Sequence, residues 1–173
     1  RAVGKVFRMR AASDGMKFAQ TPRPVSDSIR DAAQARWGWH WENQETPQRP
    51  VGITPLYSKV KLWCVPNVES VRPVGPPAPN SPDFQTAANE LNDVLDNLTN
   101  DQRKITNFWS DGLGTYTPQG HWNRFACESI VKNRYNPLRA ARVLAYLNMA
   151  MQDAGIACWD AKYYFHYPRP IQA

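Results

Sequence analysis

The second half of the chain carries apolar residues at the three- and four-residue spacing of amphipathic helices. Ser81 and Pro82 are typical of a helix start, and the apolar side chains of the following helix are Phe84, Ala87, Ala88, Leu91, Val94, Leu95 and Leu98. Thr99 and Gln102 match a capping box, which predicts that a second helix follows at once. The glycine-containing segment 111–114 ends that helix, and Thr117-Pro118 starts a third.

The segment 137–166 predicts one long helix. It begins after Asn136 and is apolar on nearly every side, with a few polar insertions: Asn148, Gln152, Asp153, Asp160 and Lys162. A helix that is apolar all round is buried, so we expect this helix to be the centre of a helical domain. Pro168 must end it, because proline removes a backbone donor and disfavours helix at the preceding residue.

The two aspartates of this helix need partners. An unpaired carboxylate is costly to bury, so Asp153 and Asp160 should each be hydrogen-bonded or ion-paired. The candidate partners are cations of the same half of the chain, Lys162, Arg142 and Arg124. The sequence therefore predicts a structural role for both carboxylates.

Proline divides the chain into two parts. Eleven of the 15 prolines lie in residues 1–82, so this part should be irregular or short-helical. We expect helices at 2–13, ended near Gly15, and at 27–37, capped by Ser26 or Asp27. The sequence thus predicts a single all-α domain, with a proline-rich wrapping arm at 1–82 and a helical core segment at 83–173.

Composition excludes several classes of protein. With 42% hydrophobic and 21% charged residues the chain is of globular type, and it has no apolar run of about 18 residues that would span a membrane. Three cysteines do not form a disulfide scaffold. The first residue is Arg1 rather than Met, and the chain stops directly after an Arg-Pro pair, which indicates a longer parent polypeptide.

The net charge of +6 comes entirely from the first half. Residues 1–80 carry 12 basic and 6 acidic side chains, whereas residues 81–173 carry 9 of each. The cations of the first half are spread among apolar and small residues, whereas nucleic-acid binders cluster them on one face. A solvated basic surface is therefore favoured over nucleic-acid binding.

Two cations at the end of the long helix could bind an anion. Lys162 and Arg169 form the pattern K-x6-R-P, and seven residues correspond to two helical turns. An ammonium offers a point charge and a guanidinium a planar fork, so together they suit an oxyanion. The alternative is a pair of surface cations at a helix C-terminus, where positive charge is favoured in any case.

The K-x6-R-P pattern is similar to the first signature of the PAP2 phosphatase and vanadium-dependent haloperoxidase superfamily. The segments 68–84, 105–126 and 141–170 resemble its bacterial vanadium chloroperoxidase-like branch. The resemblance implies a helical bundle in which Lys162 and Arg169 hold the equatorial oxygens of vanadate or phosphate.

The same resemblance implies an enzyme that oxidises halide with hydrogen peroxide, using vanadate. The alternatives are a PAP2-type acid phosphatase acting through a phosphohistidine, and a non-catalytic helical module that binds anions or partners. The family's catalytic histidines follow in S-R-x5-H and P-S-G-H motifs, which this chain lacks after Arg169. We therefore expect a complementary C-terminal segment, a small anionic substrate and no direct metal ligand; an oligomer and an exported protein are further expectations.

Three further residues are candidates for the pocket. Trp159 resembles an aromatic near the family's anion site, although core packing explains it equally well. His121, in Gly120–Asn123, matches a G-H-W-N segment of this branch and is either a pocket residue or a structural first-turn residue. His166 lies between the two cations, but packing among aromatic side chains is favoured for it, as it is for His40.

Overall fold

The computed structural model describes residues 2–49, 51–112 and 114–172, and within them it contains six α-helices and no β-strand. The helices are α1 Ala2–Ser13, α2 Arg23–Trp37, α3 Pro82–Asp96, α4 Asn100–Trp109, α5 Thr117–Lys132 and α6 Pro137–Phe165. The predicted all-α helical fold is confirmed. None of the helices described is both long and apolar enough to cross a membrane.

The helix starts follow local capping chemistry. The Ser81 hydroxyl accepts a hydrogen bond from the Phe84 backbone N–H at the start of α3, and Thr99 and Gln102 complete a reciprocal capping box at the start of α4. The predicted start of α2 was wrong, because the helix begins at Arg23 rather than at residue 27. Pro22 and Pro24 occupy cap and first-turn positions, where a missing backbone donor costs nothing.

The chain forms two compact units. Unit 1 comprises residues 1–79 and 152–173, and unit 2 comprises residues 80–151. The long helix α6 contributes its first half to unit 2 and its second half to unit 1. The division at residue 82, which rests on composition, stays a prediction.

The core of unit 1 is built by the proline-rich segment packing on the second half of α6. Ala19, Val60, Val68 and Ile156 form its buried cluster, and each is less than 7% exposed. The Lys61 backbone N–H donates to the Asp14 carbonyl at 2.8 Å, which ties this segment to the end of α1. Burial of these side chains is the main stabilising contribution.

Two buried aspartates of α6 fasten the proline-rich segment by polar contacts. Asp153 accepts hydrogen bonds from three consecutive backbone N–H groups, those of residues 63–65, at 2.7–3.2 Å. Asp160 forms a bidentate ion pair with Arg72, at 2.6 Å to Nε and 3.1 Å to Nη2. The expected partners Lys162, Arg142 and Arg124 were wrong, because both carboxylates face the proline-rich segment.

The first half of α6 is not buried as its sequence predicts. The buried residues of this helix all lie in its second half, and they are Asp153, Ile156, Asp160 and Phe165. In the described part of unit 2, residues 80–112 and 114–151, His121 alone is buried. The apolar residues of 137–151 therefore lack the covering that an all-round apolar helix needs.

Candidate functional site

Lys162 lies in the last turn of α6, and Arg169 follows four residues after the helix ends. Both residues are exposed. Partial burial of the ammonium lowers the pKa of Lys162, and the positive charge of Arg169 lowers it further. Cys158 has a smaller effect that raises this pKa. The structure therefore brings the two cations of the K-x6-R-P pattern close enough to repel each other.

Within the described residues, neither cation forms an ion pair with a carboxylate. Among the residues that the structure describes, no acidic group lies within 4.0 Å of the side-chain nitrogens of Lys162 or Arg169. Asp160, the nearest acidic residue in sequence, is occupied by Arg72. Two cations that act on each other and have no counter-charge among the described residues make this surface locally positive, which favours an anion.

The Trp159 indole ring packs against the Lys162 ammonium. The Lys162 ammonium lies 4.4 Å from the centre of the indole ring, which is cation–π distance. The indole Nε1 donates to the Ile53 carbonyl at 2.9 Å, and the Tyr163 hydroxyl donates to the same oxygen at 3.0 Å. A Cβ on Gly52 would collide with the Tyr163 hydroxyl, so glycine permits this close approach.

His166, which lies between the two cations in sequence, is buried and hydrogen-bonded to the segment after α2. It is 6% exposed, and its Nδ1 accepts a hydrogen bond from the Trp41 backbone N–H at 3.0 Å. Because Nδ1 is an acceptor here, the imidazole is neutral. Burial, followed by the positive charge of His40, lowers the pKa of His166 to about 4.

This lowered pKa makes the stability of unit 1 depend on acidity. The unfolded chain binds a proton at His166 below the ordinary pKa of 6.5, but the folded chain does so only near 4. Stability should therefore fall as the pH is lowered from 6.5 to 4, by about 2–3 kcal/mol. Urea unfolding at a series of pH values measures this loss.

The matched variant for this experiment is His166→Asn. Asparagine can still accept the Trp41 N–H, and it tolerates the positive φ of 48° at this position, yet it does not titrate. The difference in unfolding free energy between the two proteins should change across this pH window. Parallel pH profiles would contradict the assignment.

His121 lies in unit 2, at the start of α5. It is 3% exposed, and its Nδ1 lies 3.0 Å from a carboxylate oxygen of Asp111. The rings of Phe108, Trp109 and Phe125 surround the imidazole at centroid distances of 4.7–5.0 Å. These contacts all belong to unit 2, and they fasten the glycine-containing segment to α5.

A groove of about 400 Å³ lies at Pro168, and Arg169 is not among its lining residues. It is lined by Gln34, Trp39, His40, Glu42, Gln44, Pro168 and Gln172. Neither Lys162 nor Trp159 lines it. His40 packs in its wall, where Nδ1 contacts the Gln34 side-chain oxygen at 2.6 Å. In the described ranges no group of three or more His, Cys, Asp or Glu side chains is arranged to hold a metal ion.

The chain is thus an all-α protein with an exposed pair of cations at the end of its longest helix. Residues 142–173 match the model of the VCPO second helical-bundle domain. This match confirms the resemblance to vanadium haloperoxidases for the segment that contains Lys162 and Arg169. Neither the curated proteins nor the solved structures gave a significant match.

Sequence reasoning missed the residues of the proline-rich segment that contact the second half of α6. Arg72 holds Asp160, and the Ile53 carbonyl holds Trp159 and Tyr163. Both supports come from the proline-rich segment, about 90–110 positions away in sequence. The only signal for packing of this segment is its apolar content, which does not specify partners.

Proposed function

We propose that this chain supplies the Lys162–Arg169 part of an oxyanion site in a vanadium-dependent haloperoxidase-like enzyme that oxidises halide with hydrogen peroxide. The observation that carries the proposal is that the charge of Arg169 acts on Lys162, while no carboxylate of the described residues lies within 4.0 Å of either cation. The pair lies inside the segment that matches the VCPO helical-bundle model.

The two cations, Lys162 and Arg169, suit vanadate or phosphate as a ligand. The Lys162 ammonium donates as a point charge, and the Arg169 guanidinium offers two parallel N–H donors to neighbouring oxygens. The Trp159 ring packs against the Lys162 ammonium at cation–π distance. Vanadate, when bound, supplies the chemistry that activates peroxide, and this chain contributes binding and charge neutralisation.

The remaining donors and the catalytic histidines belong to a complementary polypeptide segment in this proposal. The part of the site identified here is two cations, whereas an oxyanion in a closed site is held by donors on several sides. We therefore expect weak anion binding by the chain alone and tighter binding with a complementary segment that carries S-R-x5-H and P-S-G-H motifs.

Removing either cation should weaken anion binding. Lys162→Ala or Arg169→Ala should lower vanadate affinity about 10- to 100-fold in the complemented protein, because each loses charge-assisted hydrogen bonds. Affinity should also fall as the pH rises through the lowered pKa of Lys162, since the ammonium is then lost. Calorimetric titration with vanadate measures both effects.

Lys61→Ala is the matched control, because Lys61 is an exposed cation of the same unit whose side chain makes no hydrogen bond or ion pair in the described chain. Titration with phosphate and assays of halide oxidation and phosphoester hydrolysis separate the haloperoxidase from the phosphatase. Anion binding without turnover in the complemented protein would favour the non-catalytic module. Tight binding and full turnover by the isolated chain would overturn the proposal that this chain supplies only part of the site.

A further inference from the structure

The position of Arg169 is not set by helix α6. The helix ends at Phe165, and Arg169 follows four residues later, whereas Lys162 lies inside the last helical turn. Even so, the positive charge of Arg169 is, after burial, the second cause that lowers the pKa of Lys162. Residues beyond a helix end are free to adopt other dihedral angles, so contacts from elsewhere must hold the turn that carries Arg169.

The end of α6 is capped by the segment 37–42, which we call the capping segment. The last carbonyls of a helix have no partner within it. The Trp37 indole donates to the Tyr164 carbonyl at 2.9 Å, and the Trp39 indole donates to the Phe165 carbonyl at 3.2 Å. The two indole rings stack, with centroids 5.9 Å apart and an interplanar angle of 17°. Two tryptophans more than 120 positions away in sequence thus close the end of α6.

The capping segment also holds the turn that follows the helix. His166 leaves the helix with a φ of 48°, and its Nδ1 accepts the Trp41 backbone N–H at 3.0 Å. The Tyr167 ring packs edge-on against the Trp39 ring at a centroid distance of 5.7 Å, and its hydroxyl donates to the Pro77 carbonyl at 2.6 Å. The direction of the chain after α6 is therefore set by tertiary contacts.

Gln172 joins the capping segment to the backbone of Arg169. Its side-chain oxygen accepts the Glu42 backbone N–H at 3.2 Å and the Arg169 backbone N–H at 3.1 Å. The Gln172 backbone N–H donates to the Arg169 carbonyl at 2.8 Å. Both backbone polar groups of Arg169 are thus held, while the residue itself remains exposed.

We propose that the capping segment and Gln172 position Arg169 for anion binding. They act through the backbone of Arg169, so they are positioning residues rather than ligands of the anion. A guanidinium whose backbone is already fixed loses less conformational entropy when it binds an anion, and the affinity is higher for that reason. This inference rests on the proposed function, in which Lys162 and Arg169 bind one oxyanion.

The pKa of Lys162 reports the position of Arg169 without any anion. Arg169→Gln should raise this pKa, because it removes a positive charge that lowers it. Gln172→Ala should also raise it, although less, since the released backbone lets the guanidinium move away. In a chain that already carries Arg169→Gln, Gln172→Ala should cause no further shift. NMR titration of the Lys162 side chain in the full chain measures all three.

Trp39→Phe tests the cap at the helix end. Phenylalanine keeps an aromatic ring but has no N–H for the Phe165 carbonyl, so the pKa of Lys162 should again rise. Trp63→Phe is the matched control, because it also removes an indole hydrogen bond of unit 1, to the Gln152 side-chain oxygen, and should leave the pKa of Lys162 unchanged. Circular dichroism and urea unfolding check that each variant is folded.

Titration with orthovanadate and with inorganic phosphate separates this inference from the proposed function. Calorimetry on the full chain should give affinities about three- to tenfold lower in Gln172→Ala and Trp39→Phe, and unchanged in Trp63→Phe. If the shifts in the pKa of Lys162 occur but the wild type binds neither anion, the positioning of Arg169 is supported and the oxyanion function is overturned.

Three results would overturn the positioning itself. The first is an unchanged pKa of Lys162 in folded Gln172→Ala and Trp39→Phe. The second is an unchanged pKa in Arg169→Gln, which would mean that Arg169 lies too far away to act on Lys162. The third is a further rise when Gln172→Ala is added to Arg169→Gln, because Gln172 would then act on Lys162 by another route.

Discussion

Replacing Arg72 by methionine is expected to lower the free energy of unfolding of unit 1 by about 3–5 kcal/mol. The guanidinium is the bidentate partner of Asp160, whose side chain is only 8% exposed, and it also lies 3.8 Å from the Tyr164 ring centre. Methionine retains much of the apolar stem but leaves the Asp160 carboxylate buried without a counter-charge. Urea denaturation followed by circular dichroism measures the loss.

Two controls distinguish the buried ion pair from a general loss of positive charge. Arg23→Met removes one of the two arginine partners of Asp27, at a position where the arginine side chain is 71% exposed, and it should change stability by less than about 0.5 kcal/mol. Arg72→Met combined with Asp160→Leu removes both buried charges and should recover most of the loss. Equal losses of unfolding free energy in Arg23→Met and Arg72→Met would show that the buried Arg72–Asp160 pair contributes no more than a surface pair.

The helices could be predicted from sequence where their signals are local. Ser81-Pro82 and the Thr99–Gln102 capping box lie within the first turn of the helix they start, and the structure contains both caps. The start of α2 was missed because Ser26 and Asp27 are also good cap residues, whereas the structure uses Pro22 and Pro24 at the cap and first-turn positions. Proline in a first turn lacks only a donor that has no intrahelical acceptor in any case.

The candidate site was predictable only in part, because only some of its contacts are between residues close in sequence. Lys162 and Arg169 lie on one short segment, so their spacing suggests that they converge. Ile53 and Arg72 reach Trp159 and Asp160 of α6 through the tertiary fold, and no periodicity in the sequence links a proline-rich segment to particular positions of α6. The burial of α6 was overestimated because sequence shows that an apolar surface needs covering but does not show what covers it.

The stability of unit 1 also depends on Asp153, whose carboxylate accepts hydrogen bonds from three backbone N–H groups. Asp153→Ala should lower the free energy of unfolding by about 3–5 kcal/mol, since hydrogen bonds to a charged acceptor contribute about 1.5–3 kcal/mol each and do not add fully. Residues 63–65 would lose their common acceptor while they are still packed against α6. Urea unfolding gives the size of the loss.

Hydrogen exchange locates the effect of Asp153→Ala within the chain. The amides of residues 63–65 should exchange much faster in the variant, because their hydrogen bonds are gone even where the helices remain. Asp101→Ala is the matched control, since the Asp101 side chain is 85% exposed and forms only a surface ion pair with Lys104. Unchanged exchange at 63–65 in Asp153→Ala would mean that other contacts hold the segment. Faster exchange confined to these amides would show that one buried carboxylate fastens the proline-rich segment to α6.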